Sequence, residues 1–209
     1  MLREMREGFR FVRAHTWLWA TLVAGAFANI ASASRNVLLP FVIKYDLHAS
    51  ARALGFVYSA ASAGALISAL ALGQHGLPRR PIVVAYLGWG VSIFAIGAYG
   101  LGTNVTELVA FGFVVGAGMS IGNGIWGTLM HQLVPRELLG RVTSIDWMMS
   151  LSLMPVAAAA SGAIAAAVSA RTTLVGAGLL GGGVCVLFLL LSPALRRPSF
   201  EPPGEGAEA

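Results

Sequence analysis

Six long apolar stretches dominate the sequence and constrain its fold more than any other feature. Each is about 20 residues or longer, which is the helical length needed to cross a hydrocarbon core of about 30 Å. Strands of membrane barrels instead alternate apolar and polar residues over about 10 positions, and these stretches do not alternate. We therefore predict an all-α polytopic membrane protein with six transmembrane helices, at 17–43, 53–72, 82–101, 106–130, 143–168 and 172–191.

The composition excludes the other broad classes of protein. Of the 209 residues, 56% are hydrophobic and 11% are charged, whereas about 25% are charged in a typical soluble domain. The high hydrophobic content also excludes a disordered chain, because disordered chains are poor in hydrophobic residues. A single cysteine, Cys185, excludes a disulfide scaffold and Cys-rich metal sites.

The placement of basic residues predicts the orientation. Ten arginines fall in the N-terminal segment, the second and fourth connectors and the tail, against three basic residues in the other connectors. By the positive-inside rule, both termini face the cytoplasm across the inner membrane. Residues 1–16 have the pattern of a basic amphipathic segment on the membrane surface, and 192–209 is predicted to be a disordered cytoplasmic tail. The basic clusters would meet membrane lipid, and without interleaved aromatics we expect no nucleic-acid partner.

The helices fall into two groups of nearly equal length. The first three cover 85 residues, 17–101, and the last three cover 86 residues, 106–191. Three helices followed by three of opposite topology is the arrangement of inverted repeats in secondary transporters. We therefore predict two inverted three-helix repeats.

Segments near the connectors resemble one transporter family. The segment LVPRELLGRV at 133–142 resembles the loop between helices ten and eleven of major facilitator superfamily transporters, in particular the drug and siderophore exporter branch. RFVRAHTWL at 10–18 is similar to the entry into helix seven of that branch, and SLSLMP at 150–155 resembles its helix eleven. Gly73 with the following arginine pair resembles the second copy of the family's glycine/arginine loop motif. The resemblance covers residues 2–197.

The resemblance implies a transporter half. Full members have about twelve helices in two bundles of six, and this chain resembles the carboxy-terminal bundle. It implies efflux of a small-molecule substrate by alternating access, with helices one and four lining a cavity, two and five flanking it, and three and six facing lipid. One bundle offers one wall, so we expect a second six-helix bundle as partner, from another half-transporter or a second copy. The alternative is a non-transporting membrane module, such as a truncated product or an interaction or assembly subunit.

Polar side chains inside a span are costly and therefore indicate a function or a partner. In the first span, Asn29, Ser32 and Asn36 share one helical face, with Arg35 at its margin. We predict that this stripe lines a substrate pathway. The open alternatives are interhelical hydrogen bonds, worth about 0.6 kcal/mol each, and snorkelling of Arg35 to the outer head groups.

Asp146 lies five residues past Arg141, or about 7 Å into the membrane from the inner side. One interpretation is a cytoplasmic gate or a group that protonates during transport; the other is an ion pair with Arg136 or Arg141 that fixes the helix end. The resemblance implies that four arginines close the inner vestibule, although they also suffice as topology signals: Arg79, Arg80, Arg136 and Arg141.

The fourth span carries a stripe of small residues that recurs every four positions: Gly112, Gly116, Ser120 and Gly124. Such a stripe favours close helix packing, and Gly118 and Gly122 are predicted to widen it. Asn123 and Trp126 lie on a neighbouring face. An amide and an indole in a cavity wall suit an aromatic or amphipathic substrate, and the alternative is packing with one buried hydrogen bond.

Two further features are local. Asn104 and Glu107 have the spacing of a capping box at the start of the fourth helix, and Pro155 is a candidate hinge in the fifth. No pair of histidines has metal-ligand spacing, and the usual hydrolase, metalloprotease and ATPase motifs are absent from the sequence. We therefore expect no enzyme activity, no bound metal and no other cofactor.

Overall fold

The computed structural model describes residues 16–191, which form six helices joined by short connectors. The predicted amphipathic segment before Thr16 and the predicted tail 192–209 lie outside the described residues. All six helices are long and apolar enough to cross a membrane, so the predicted all-α, six-span fold is confirmed. In chain order they are α1 (Thr16–Phe41), α2 (Ala51–His75), α3 (Pro81–Ala98), α4 (Val105–Leu133), α5 (Arg136–Ala167) and α6 (Ala170–Leu191).

One helix boundary differs from the prediction by seven residues, and the others differ by at most three. α1 continues through a π-helical turn, Val42–Asp46, so its helical run ends three residues beyond position 43. α5 begins at Arg136, seven residues before the predicted start at 143. The predicted connector there was polar, but a helix can begin outside the hydrocarbon core, where apolar residues are not needed. Pro135 directly precedes this helix and terminates the connector.

The start of α4 is held by a side-chain cap. The Oδ1 atom of Asn104 accepts a hydrogen bond from the Glu107 backbone N–H at 3.0 Å. In return, Oε2 of Glu107 accepts from the Thr103 backbone N–H at 2.7 Å. Two backbone N–H groups at the helix start are thereby satisfied. The cap by Asn104 is confirmed, whereas the return bond of Glu107 goes to Thr103, one residue before the position that a capping box uses.

The packing partners of the helices follow the inverted repeat. α1 packs against α5 and α6, and α4 packs in the same way against α2 and α3, while α3 and α6 pack against each other. Exchanging α1 with α4, α2 with α5 and α3 with α6 leaves this set of pairs unchanged. Each pair joins a helix of one three-helix unit to a helix of the other, so neither unit has a core of its own.

The small-residue stripe of α4 lies directly on α2, and we call this contact the α2–α4 seam. A Cβ atom at Gly116 would collide with the carbonyl group of Ala61, and one at Gly64 would collide with the α4 backbone. Ser120 Oγ donates a hydrogen bond to the Ala65 carbonyl oxygen at 2.9 Å. In the structure the stripe is therefore a surface of backbone-to-backbone packing.

Two other glycines of α4 face a different helix, and the prediction that they widen the stripe is wrong. Gly118 lies against the backbone of Gly88, and Gly122 lies against the indole of Trp89, both on α3. The reason is angular: two residues along a helix turn the side chain by about 200°. Gly118 and Gly122 therefore point away from the face that Gly116 presents to α2.

The helices differ greatly in how far the bundle buries them. α3 is the most buried, and α2 and α5 are the most exposed. The exposed large residues of α3 are Leu87, Val91 and Phe94, whose spacing places them on one apolar face. The predicted lipid contact of α3 can therefore apply to that face, since the rest of the helix packs against α4 and α6.

Polar contacts join the helices toward the end of the bundle where α1 finishes. Arg171 at the start of α6 donates to Asp46 Oδ2 at 2.8 Å and to the Gly102 carbonyl oxygen at 2.7 Å. Within the bundle, the hydroxyls of Ser34 and Ser161 are 2.7 Å apart in a buried hydrogen bond between α1 and α5. These contacts connect segments that are far apart in sequence.

Candidate functional site

A cavity of about 380 Å³ opens between α1, α4 and α5. It lies toward the end of the bundle where α1 begins, α4 ends and α5 begins, which we call the proximal end. α3 reaches it from behind with one side chain. Its polar and aromatic lining includes Asn29, Trp89, Asn123, Trp126, His131, Asp146 and Trp147.

Three of the residues predicted for the substrate pathway line this cavity together. Asn29 comes from α1, and Asn123 and Trp126 come from α4. Asp146, predicted as a gate or helix-end residue, lies in the same lining. The structure thus brings four of the polar and aromatic candidates to one place from three helices.

The carboxylate of Asp146 has a partner that the sequence did not predict. Trp126 Nε1 donates a hydrogen bond to Asp146 Oδ2 at 3.3 Å, which joins α4 to α5 inside the cavity. Asp146 is only half-buried, so part of the carboxylate faces the open volume. Within residues 16–191 the structure records no ion pair of Asp146 with Arg136 or Arg141, and that pairing stays a prediction.

Trp89 is a cavity residue that the sequence interpretation missed. Its indole passes over Gly122, where a Cβ atom would collide with the ring. Its Nε1 donates to Asn123 Oδ1 at 2.9 Å. Because an indole N–H can only donate, this bond directs the Asn123 oxygen toward α3 and leaves the amide NH₂ for another acceptor. The glycine on α4 therefore makes room for a tryptophan on α3 that orients the cavity amide.

An aromatic row continues from the cavity into the bundle. The ring of Trp89 lies 6.3 Å from that of Trp126 and 5.8 Å from that of Tyr86, both in edge-to-face geometry. Tyr86 is buried and its hydroxyl donates to Thr21 Oγ1 on α1 at 3.1 Å. This row fixes the indoles, because each ring is held by a neighbouring ring and a hydrogen bond.

A separate apolar cluster lies beside the cavity at the proximal end. It joins the first turns of α1, the last turns of α4 and the first turns of α5, and Trp126 packs against it. The cluster thus seals the three helices together where they converge. Its buried members are Leu18, Leu22, Met130, Val134, Val142 and Ile145.

The remaining predicted pathway residues lie outside the cavity. Arg35 donates to Asn36 Oδ1 through Nε at 3.3 Å and Nη2 at 2.9 Å, and its guanidinium carbon lies 5.8 Å from the centre of the Tyr58 ring. Ser32 is buried in the bundle. Arg35 lies 11 residues before Asp46, the last residue of this helical run. It is therefore about 16 Å from the end of the run that lies opposite the cavity. The predicted single stripe is therefore divided into a cavity residue, Asn29, and a second polar group nearer the other end.

The four arginines proposed for the inner vestibule all lie at the proximal end. Arg79 and Arg80 are exposed in the turn between α2 and α3, and Arg136 is exposed at the first residue of α5. Arg141 is half-buried farther along α5. Their role in closing a passage stays a prediction.

The cavity has the features of a binding site. Its lining combines amides, indoles and one carboxylate on helices that are otherwise apolar. Within residues 16–191, no group of three or more His, Cys, Asp or Glu side chains is placed to hold a metal ion. The arrangement can hold an organic molecule through ring contacts and a few hydrogen bonds.

Comparison with known proteins shows that the chain is similar to membrane exporters. The chain is 30% identical over 208 residues to the enterobactin exporter EntS of Escherichia coli O139:H28 (strain E24377A / ETEC). The same identity and length hold for the enterobactin exporters of Shigella boydii serotype 18 and Escherichia fergusonii. Each alignment covers 97% of this chain and 48% of the relative, so the chain spans about half the length of these relatives. The sequence profile of the Major Facilitator Superfamily matches residues 18–208, and the chain therefore belongs to the Major Facilitator Superfamily.

Proposed function

We propose that this chain is one half of a secondary active exporter of small molecules and that its cavity is one wall of the pathway. The observation that carries the proposal is the convergence of Asn29, Asn123 and Asp146, from three helices, on one open cavity. Polar groups at membrane depth face water, a partner or a solute, because burial in lipid is costly. That the relatives named above are exporters supports the same direction of transport.

The second wall is proposed to come from another six-helix bundle. α2 and α5, the two helices that the family resemblance places beside the pathway, are the most exposed of the six, although α5 also lines the cavity. α5 presents many small residues on its exposed side, including Ser152, Ala159 and Ala163, and such residues let helices approach closely in membranes. Rocking of two bundles about a shared pathway is the usual form of alternating access in transporters built from repeats.

The orientation follows from the distribution of arginines. We propose that both termini face the cytoplasm at the inner membrane, which places the proximal end and the cavity in the cytoplasmic half. In the conformation described, the cavity would then be the inward-facing side of the pathway. The Trp126–Asp146 contact and the arginines at this end are proposed to take part in its closure.

Thiol accessibility tests whether the cavity is a water-filled passage. Cys185 is the single cysteine and is buried, so Cys185→Ala provides a cysteine-free background. In that background, Asn123→Cys should react with a membrane-impermeant maleimide added to the cytoplasmic face of inverted vesicles. Leu180→Cys on α6, which is 70% exposed on the outside of the bundle, is the matched control and should stay unreactive because lipid surrounds it.

The outcomes separate transport from a purely structural role. If Asn123→Cys and Asn29→Cys both resist the reagent from either face, the passage does not exist and a non-transporting membrane module is the better explanation. Efflux of a fluorescent substrate by cells in which this chain is shown to be a monomer would refute the need for a second bundle. We expect efflux only where two bundles are assembled.

A further inference from the structure

We propose that the cavity takes an amphipathic aromatic cation and that Asp146 is its counter-charge. The inference rests on the proposed function, because it names the class of molecule that the same cavity would carry. Two independent observations support it: the sign of the charge that the lining presents, and the kind of surface that surrounds this charge.

The lining is acidic where it is charged. Asp146 is the acidic residue among the described residues of the lining, and none of these residues is a lysine or an arginine. His131 of α4 lies at the exposed edge of the cavity, and Arg141 is one turn or more away on α5 and absent from the lining. Among residues 16–191 the structure records no Lys or Arg partner for Asp146, and its recorded hydrogen bond comes from an indole.

A half-buried carboxylate without a cation is incompletely compensated. An ionised Asp costs about 2.5–3.5 kcal/mol at the centre of a membrane helix and less near the interface, where Asp146 lies, and one indole N–H offsets part of that cost. A ligand that brings a positive charge within a few ångströms would offset the rest. An anionic ligand would instead place a second negative charge beside Asp146, so its binding would be disfavoured.

The surface around Asp146 is aromatic. Trp126, Trp147 and Trp89 all line the cavity, and Trp126 is fixed by its bond to the carboxylate. The face of an indole is the best of the aromatic surfaces for a cation. Trp147 directly follows Asp146 and is 60% exposed, so its ring is free to close over a bound molecule. Carboxylate and indoles together match an organic cation with an aromatic body.

Equilibrium binding to the purified chain in detergent tests this assignment with two probes of matched size and opposite charge. The cation is radiolabelled tetraphenylphosphonium, and the anion is tetraphenylborate, used as a competitor. We expect saturable binding of the cation that excess unlabelled cation displaces and that the borate does not. Asp146→Asn keeps the shape and the acceptor for Trp126 but removes the charge, and it should weaken binding at least about tenfold.

Two further variants control the experiment. Asp46→Asn removes the other described aspartate, which is paired with Arg171 at the far end of the bundle, and it should bind the cation like the parent chain. Trp147→Leu should weaken binding about threefold to tenfold through loss of a ring face. The melting temperature of each variant shows whether it is folded, and Asp146→Glu, which keeps the charge, should retain binding if Asp146→Asn proves unstable.

The result that overturns the inference is equal binding by Asp146→Asn and the parent chain, or displacement of the cation by the borate. If that happens while Asn123→Cys still reacts from the aqueous phase, the passage stands and its substrate belongs to another class. If Asn123→Cys is unreactive as well, the proposed function itself has failed.

Discussion

A methyl group added to the α2–α4 seam should destabilise the bundle in proportion to the closeness of the two backbones. Gly112→Ala would place a Cβ atom 2.6 Å from the carbonyl oxygen of Val57. Ordinary contacts begin at 3.4 Å, so the helices would have to separate there by at least 0.8 Å, the difference between these two distances. Gly116 approaches the α2 backbone more closely still, whereas nothing lies within 4 Å of a Cβ atom at Gly127 on the same helix.

The size of the effect follows from two opposing contributions. Glycine to alanine in a helix gains about 1 kcal/mol in helix propensity, and this gain applies equally at every position of α4. Overpacking of a tight contact costs about 1–3 kcal/mol, and this cost applies at Gly112 and Gly116 but not at Gly127. For a chain of this size, 1 kcal/mol shifts the melting temperature by about 2–4 °C. We expect Gly116→Ala to melt about 2–12 °C below Gly127→Ala, with Gly112→Ala between them.

Cys185 supplies the assay without any further substitution. It is the single cysteine, it is 1% exposed and it lies on α6, away from the seam. A maleimide that fluoresces on reaction with a thiol will therefore report unfolding of the detergent-solubilised protein on heating. If Gly116→Ala and Gly127→Ala melt at the same temperature, α2 and α4 do not approach each other as described, and the seam is not a determinant of stability.

The same assay checks three further predictions. Ser34→Ala and Ser161→Ala should show a coupling of about 0.6 kcal/mol, and at most about 1.7 kcal/mol, in a double-mutant cycle; strictly additive effects would contradict the buried hydrogen bond between them. Asp46→Asn should lower the melting temperature less than Arg171→Ala. The exposed Asp46–Arg171 ion pair contributes about 0–1 kcal/mol, and Arg171 also donates to two carbonyl oxygens. Equal losses would mean that the ion pair accounts for the whole effect. Asn104→Ala should cost about 1 kcal/mol and Asn104→Asp, which keeps the capping oxygen, much less; no difference between them would rule out the cap.

The number and the place of the spans could be predicted because hydrophobic length is a local property. Every predicted span corresponds to one helix. The largest difference is at the start of α5, where the chain is polar and apolar length cannot indicate where the helix begins. Which helices touch was predictable only in outline. The main packing pairs all join one repeat to the other. Apart from α3 and α4, the main partners are not neighbours in sequence, and nothing in the order of the chain indicates this.

Polarity within apolar spans identified much of the cavity. Asn29, Asn123 and Asp146 were singled out because a polar group there needs a reason, and the structure brings them together. The sequence did not indicate how far along α1 the cavity extends. Asn29 and Asn36 share a helical face, yet they are seven residues apart, which is about 10 Å along the axis, and the cavity reaches only the first of them.

Trp89 shows why the rest of the site was out of reach. A tryptophan in an apolar span is indistinguishable by type from a packing residue, and its helix was expected to face lipid. Its function in the site depends on Gly122 and Asn123, on a helix whose contact with α3 is not encoded near position 89. Replacing Gly122 by alanine would therefore act on the cavity amide through a ring on another helix, an effect that no inspection of either helix alone could reveal. What positions the amide is the combination of a missing side chain on α4 and a large one on α3, and such a combination exists only once the helices are packed.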